Sequence, residues 1–177
     1  MRVSFSLRNV EKWDIMEVGF VRGGGYAMIE NKDMLLYSAQ KSVKHISKVG
    51  AEDADEKECF FVIGTALHWV IDCIDRIPDA QIKEEHKKLF SGLRFANNCL
   101  KHNITFTKAH KAKGHSYPYD FPYDYGTHFI WTSLDEVDIW DSKENQRANY
   151  KNNFEGKNVF ITMSEIMSEI EKYYEIL

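Results

Sequence analysis

The residues of this chain best suited to chemistry lie in one stretch, Glu84 to Asn103, EEHKKLFSGLRFANNCLKHN. Its spacing predicts one long helix. At about 100° per residue, Leu89, Phe90, Leu93, Ala96, Asn97, Cys99 and Leu100 fall within one half of the helical wheel. Arg94, Asn98, Lys101 and His102 fall on the other. Arg94, Asn98 and His102 recur at i, i+4 and i+8, so a guanidinium, an amide and an imidazole project along one stripe. Such a set can hold a phosphate or a carboxylate, and histidine adds a proton carrier that titrates near neutrality. A structural reading competes. Arg94 would pair with an acid of a neighbouring helix, and Asn98 and His102 would cap backbone groups at the helix end.

The surroundings of the stripe are basic. From Lys87 to Lys113 there are seven Lys or Arg residues and no acid, with His102 and His110 among them. The functional reading is a phosphate-facing surface, with Lys101, Lys108 and Lys111 as the binding cations. The competing reading is a solvated helix face and loop. No metal is expected. His102, His110, His115 and His128 match no zinc spacing, and His-Glu-x-x-His is absent. No cofactor is expected either, because Rossmann and P-loop patterns are missing. The glycine triplet Gly23 to Gly25 is followed by no Gly-Lys-Ser/Thr and reads as a hinge. Cys99 stands about 60° from His102 on the wheel, which allows a thiol–imidazole pair. Cys99 faces the apolar side, however, and burial is the reading preferred.

The elements that must position the stripe are mostly helices. A chain of 177 residues with 44% apolar and 28% charged residues reads as one globular domain, residues 1–177. Leu36, Ala39, Val43 and Ile46 make an apolar stripe from about Asn31 to Lys48, ended by Gly50. Residues 54–77 are apolar round most of the circumference and predict the central helix, capped by Asp53 or Asp55, with His68 as a hydrogen-bonded core histidine. Pro78 stops it, and Asp79 is placed to cap the third helix after a very short, antiparallel link. Phe160, Met163, Ile166, Met167, Ile170 and Tyr174 predict a last helix over about Val159 to Ile176.

Between the third and last helices the pattern changes. Ile104 to Thr107 and Thr127 to Leu134 predict a small hairpin, with SYPYDFPYDYG (residues 116–126) in its loop. Those aromatics could stack nucleobases or seal the loop onto the body. The expected fold is therefore mainly α, an antiparallel up-down bundle of about four long helices with a small β hairpin. Residues 1–25 form an arm, 26–103 a three-helix core, 104–134 the hairpin and aromatic loop, and 135–177 an acidic loop and the C-terminal helix.

Bulk properties narrow the partners. The net charge of −4 argues against a nucleic-acid binder with a basic surface throughout, though not against a local basic site. Three cysteines without close spacing read as buried free thiols, which suits a reducing cytoplasm. No apolar run is long enough to span a bilayer, so no membrane partner is expected.

The run Arg94-Phe95-Ala96-Asn97-Asn98-Cys99-Leu100-Lys101-His102 resembles the signature helix of the HEPN superfamily. These are small all-α domains, usually dimers, and many are metal-independent endoribonucleases of toxin–antitoxin and phage-defence systems. Their motif is an arginine, commonly followed by asparagine, with a histidine somewhat more than one turn later. Asn98 and His102 match the asparagine and histidine, while Asn97 stands where the family has arginine. FIWTSLDEV and the stretch from Tyr150 through Gly156 and Lys157 resemble uncharacterised bacterial proteins carrying the same helix. The likeness runs from residue 55 to the end.

The resemblance implies a homodimer acting on RNA, with a protein partner of antitoxin type. It also implies a site in which the 2′-hydroxyl attacks phosphorus, His102 moves the proton and a cation meets the developing charge. Asn97 carries no charge. Arg94 and Lys101 lie about 60° and 40° from it on the wheel, and Arg94 has the longer reach. Arg94, Asn98 and His102 are the expected catalytic set. The alternative implied by the same fold is a non-catalytic binding or regulatory module.

Overall fold

The computed structural model describes residues 31–51, 55–102, 106–111, 127–137 and 143–177. The glycine triplet, the N-terminal arm and the SYPYDFPYDYG segment lie outside the described residues. The fold is a helical bundle with a small antiparallel sheet. Four long helices, α1 (Lys32–Ala51), α2 (Glu56–Asp75), α3 (Glu84–Lys101) and α5 (Val159–Ile176), agree with the expected bundle. A shorter α4 (Glu144–Asn153) lies between α3 and α5 in the chain.

α2 is the central helix. Cys59, Val62, Ile63, Ala66, Leu67, Val70, Ile71, Cys73 and Ile74 are buried along it, and they join one continuous apolar cluster with α1, α3 and α5. Its start is defined by Asp55, whose carboxylate accepts the Glu58 N–H at 2.8 Å. α2 and α3 run antiparallel, since Leu100 near the end of α3 packs on Gly64 in the first half of α2. α5 runs antiparallel to α3. Tyr173 near its end reaches Lys83 and His86 at the start of α3, and the Tyr174 hydroxyl donates to the Cys73 carbonyl at 3.0 Å.

Several local expectations need correction. His68 is exposed rather than a core histidine, and Phe61 beside it is 63% exposed, so α2 has one open face. α1 continues past Gly50 to Ala51. Asp79 does not cap α3. The cap position is Lys83, without a side-chain cap bond, and Asp79 sits in the turn between α2 and α3. The hairpin is real but begins later than expected. β1 is Thr107–Lys111 and pairs with β2, Thr127–Trp131, in the register Thr107 to Trp131 and His110 to His128.

A knot of buried rings joins α3, the hairpin and α4. The Phe95 and Tyr150 ring centroids are 4.8 Å apart, Tyr150 and Phe154 stack at 5.8 Å, and Trp131 meets Phe154 edge-on at 5.5 Å. Phe95, Phe106, Trp131, Tyr150 and Phe154 are all fully buried. The polar ends of these rings are satisfied. The Tyr150 hydroxyl donates to the Thr132 carbonyl at 2.7 Å, and the Trp131 indole N–H donates to Thr162 Oγ1 at 2.7 Å. Gly156, at φ 73°, turns the chain between α4 and α5. Its N–H donates to the Trp131 carbonyl at 3.0 Å.

α4 lies against α3 because Gly92 has no side chain. A Cβ there would stand 2.7 Å from Phe154 Cε2 and 2.9 Å from the Asn149 backbone. Backbone atoms cannot step aside as a flexible side chain can. Gly92→Ala is therefore expected to lower stability by about 2 kcal/mol through overpacking, despite alanine's better helix propensity. Gly64→Ala, which meets only the mobile end of Leu100, should cost less. Urea unfolding midpoints of the two variants check the order.

Candidate functional site at the end of α3

α3 places Arg94, Asn98 and His102 along one side, and each meets a different neighbour. The Arg94 guanidinium forms an ion pair with Asp75, the last residue of α2. The two side chains are 36% and 53% exposed. One turn on, the Asn98 amide donates to Gln146 Oε1 of α4 at 3.1 Å. One turn further, His102 closes the helix as its C-cap, its N–H donating to the carbonyls of Asn98 and Cys99 at 3.1 Å each. Its imidazole is exposed, as is Lys101. The stripe read from the sequence thus divides between α2, α4 and open surface. Arg94 does pair with an acid of a neighbouring helix, as the structural reading anticipates. Asn98 bonds a side chain of α4 instead of capping the helix end.

Asn97, where the resembled motif has arginine, is 8% exposed and belongs to the buried side of α3. A cation at that position would face the packed interior. Lys108 is held by Glu136 at 2.7 Å. Lys111 is the last residue of β1, opposite Thr127. The Lys101, Lys108 and Lys111 set is therefore spread between the helix end and the hairpin. Beside Arg94, a hollow of about 300 Å³ is lined by Asp79, Ile82, Lys87, Phe90 and Arg94. Among the described residues no three His, Cys, Asp or Glu side chains are grouped to hold a metal ion.

The cysteine reading stands. Cys99 is fully buried and His102 exposed, so they form no thiol–imidazole pair. Burial pushes the Cys99 thiol up to about 12, a rise that a backbone hydrogen bond and then the nearby Arg147 charge oppose. Burial also raises the thiols of Cys59 and Cys73.

A second polar cluster stands at the other end of α3. The Tyr173 hydroxyl accepts the Lys83 N–H at 3.0 Å and lies 2.7 Å from His86 Nδ1. His86 Nε2 faces the Glu85 and Glu169 carboxylates at 3.7 Å. The hydrogen bond from Lys172 holds Glu169 below the usual carboxylate range, and the charges of Lys172 and His86 add to it. This cluster fixes the start of α3, where Lys83 supplies no side-chain cap.

Sequence reasoning missed α4, and with it Gln146 and Arg147. Only Tyr150 of that helix is buried, so it has almost no apolar periodicity. Its Glu-Asn-Gln-Arg-Ala start, rich in helix formers, was the available signal. Comparison with known proteins gives no relative, as no family model, no curated protein and no solved structure matches this chain.

Two outcomes are expected. A double-mutant cycle with Arg94→Gln and Asp75→Asn should return a coupling below about 1 kcal/mol in urea unfolding, because both partners are partly exposed. A soluble disulfide reagent at pH 8 should leave Cys59, Cys73 and Cys99 unlabelled in the folded protein and label all three in denaturant, since only the thiolate reacts.

Proposed function

We propose that this protein is a HEPN-like, non-catalytic module that binds RNA through its phosphates. One observation carries the reading: Arg94 and Asn98, the groups a metal-free cleavage site would need beside His102, are engaged in holding α3 to α2 and α4. A cleavage site needs its cation aimed at the phosphate before the reaction begins. Here the guanidinium neutralises Asp75, and the neighbouring motif position is a buried asparagine. The exposed Lys101 and His102, with the basic hairpin beyond them, support contact with an anionic backbone. The proposal includes a homodimer and a protein partner of antitoxin type, as the resemblance implies. Among the described residues no helix is long and apolar enough to cross a membrane.

A second reading, a metal-independent endoribonuclease of a toxin or phage-defence system, is favoured by the exposure of His102 next to Asn98 and Lys101. In that reading Arg94 exchanges Asp75 for the scissile phosphate, which the partial exposure of both side chains permits.

Incubation of the purified protein with mixed cellular RNA in chelator separates the two. The expected result is RNA bound in a mobility shift and left intact, both by the wild type and by a folded His102→Ala variant. Cleavage by the wild type and none by the variant would overturn the non-catalytic reading in favour of the enzyme.

A further inference from the structure

α1 carries a second basic surface, distinct from the one at the end of α3. The helix holds four lysines against one aspartate, in a chain whose net charge is −4. Leu35, Ala39, Val43, Ile46 and Val49 are buried and define its inner face. Directly opposite, at 4-3-4 spacing, stand Tyr37, Lys41, Lys44 and Lys48, all exposed. At about 1.5 Å per residue, Lys41 and Lys48 are roughly 10 Å apart along the axis. Lys41, Ser42, Lys44, His45 and Lys48 together line an open hollow of about 370 Å³. Asp33 lies in the first turn of α1, and Glu171 of α5 accepts a hydrogen bond from Gln40 at 2.6 Å. Neither belongs to the lining of the hollow.

An aromatic ring ends the stripe. Tyr37 is 61% exposed, and the Lys41 ammonium sits 5.4 Å from its centroid, with Nζ 3.4 Å from the hydroxyl. A row of ammonium groups leading to an exposed ring is the combination that holds a single-stranded nucleic acid. The cations follow the backbone phosphates, and a base stacks on the ring. An anionic membrane surface would also attract the lysines. It would in addition need an apolar face free to enter the headgroup region, and the apolar face of α1 is buried in the bundle. Met34 and Tyr37 are its exposed large apolar side chains.

We infer that the Tyr37–Lys41–Lys44–Lys48 face of α1 is a binding site for single-stranded RNA, with the lysines on successive phosphates and Tyr37 beneath a base. This rests on the RNA-binding reading above and adds to the end of α3 a second surface for the RNA. The site holds the backbone and performs no chemistry.

The test is fluorescence anisotropy with a labelled single-stranded RNA of about 16 nucleotides, titrated with the full chain from about 50 to 200 mM salt. Lys41→Gln/Lys44→Gln/Lys48→Gln is compared with Lys101→Gln/Lys108→Gln, with far-ultraviolet circular dichroism showing that both fold. The α1 variant is expected to lose tenfold or more in affinity. Its salt slope should fall by about 2, from three lost contacts at about 0.7 each on a single strand. Tyr37→Ala should lose about fivefold or more. Wild-type affinity in the α1 variant, with loss in the Lys101/Lys108 variant, would overturn the assignment to α1 and leave the RNA-binding reading standing. No RNA binding by the wild type even at low salt would overturn both. Tighter, lysine-dependent binding to phosphatidylserine vesicles than to RNA would overturn the inference in favour of a membrane surface.

Discussion

The structure depends on the burial of Tyr150. Its ring lies between Phe95 of α3 and Phe154 at the end of α4, with Trp131 edge-on at 6.4 Å. A buried hydroxyl must find an acceptor or cost free energy on the order of 1–3 kcal/mol. Tyr150 finds the Thr132 carbonyl, just beyond β2. One side chain therefore ties two helices and the hairpin together through both its ring and its oxygen. Burial also raises its phenol far above the ordinary range, so the hydroxyl keeps its proton and remains a donor. Gly92 is the matching constraint on the helix side, because α4 can lie this close only where α3 has no side chain.

That constraint shapes what α3 can do. By bringing α4 against α3, it puts Gln146 within hydrogen-bond reach of Asn98 and Arg147 near Cys99. The antiparallel return from α2 puts Asp75 beside Arg94. A polar stripe that looks convergent on a wheel is in fact shared among three elements. Its members hold helices together at a modest cost in exposed charge, and only the helix end, Lys101 and His102, stays open.

Charge is distributed unevenly over the molecule. Acidic residues outnumber basic ones in the whole chain, yet the outer face of α1 is a row of lysines. The inner face of the same helix supplies core residues, so the cationic row is carried on a rigid, packed element and not on a loop. α2 has a different open face, where Phe60, Phe61, Gly64, Thr65, His68 and Leu100 line an almost wholly apolar groove. The two faces differ in the chemistry they present, one to anions and one to apolar surface.

The sequence by itself determined the helices that have strong periodicity. The Val159 to Ile176 pattern matches α5 residue for residue, and the apolar α2 is central as its composition requires. Apolar spacing is a local property, and burial reads it directly. The buried state of Cys99 was legible for the same reason. α4 was not legible, because it contributes one buried ring and is held by contacts to α3 and the hairpin. His68 was misplaced because a nearly all-apolar helix does not say which face its neighbours leave open. The fate of Arg94 and Asn98 was likewise decided by tertiary structure alone. A wheel shows which groups share a side of one helix, but the acid or amide that meets them comes from elements distant in sequence. Only the packed fold brings Asp75 and Gln146 to that side.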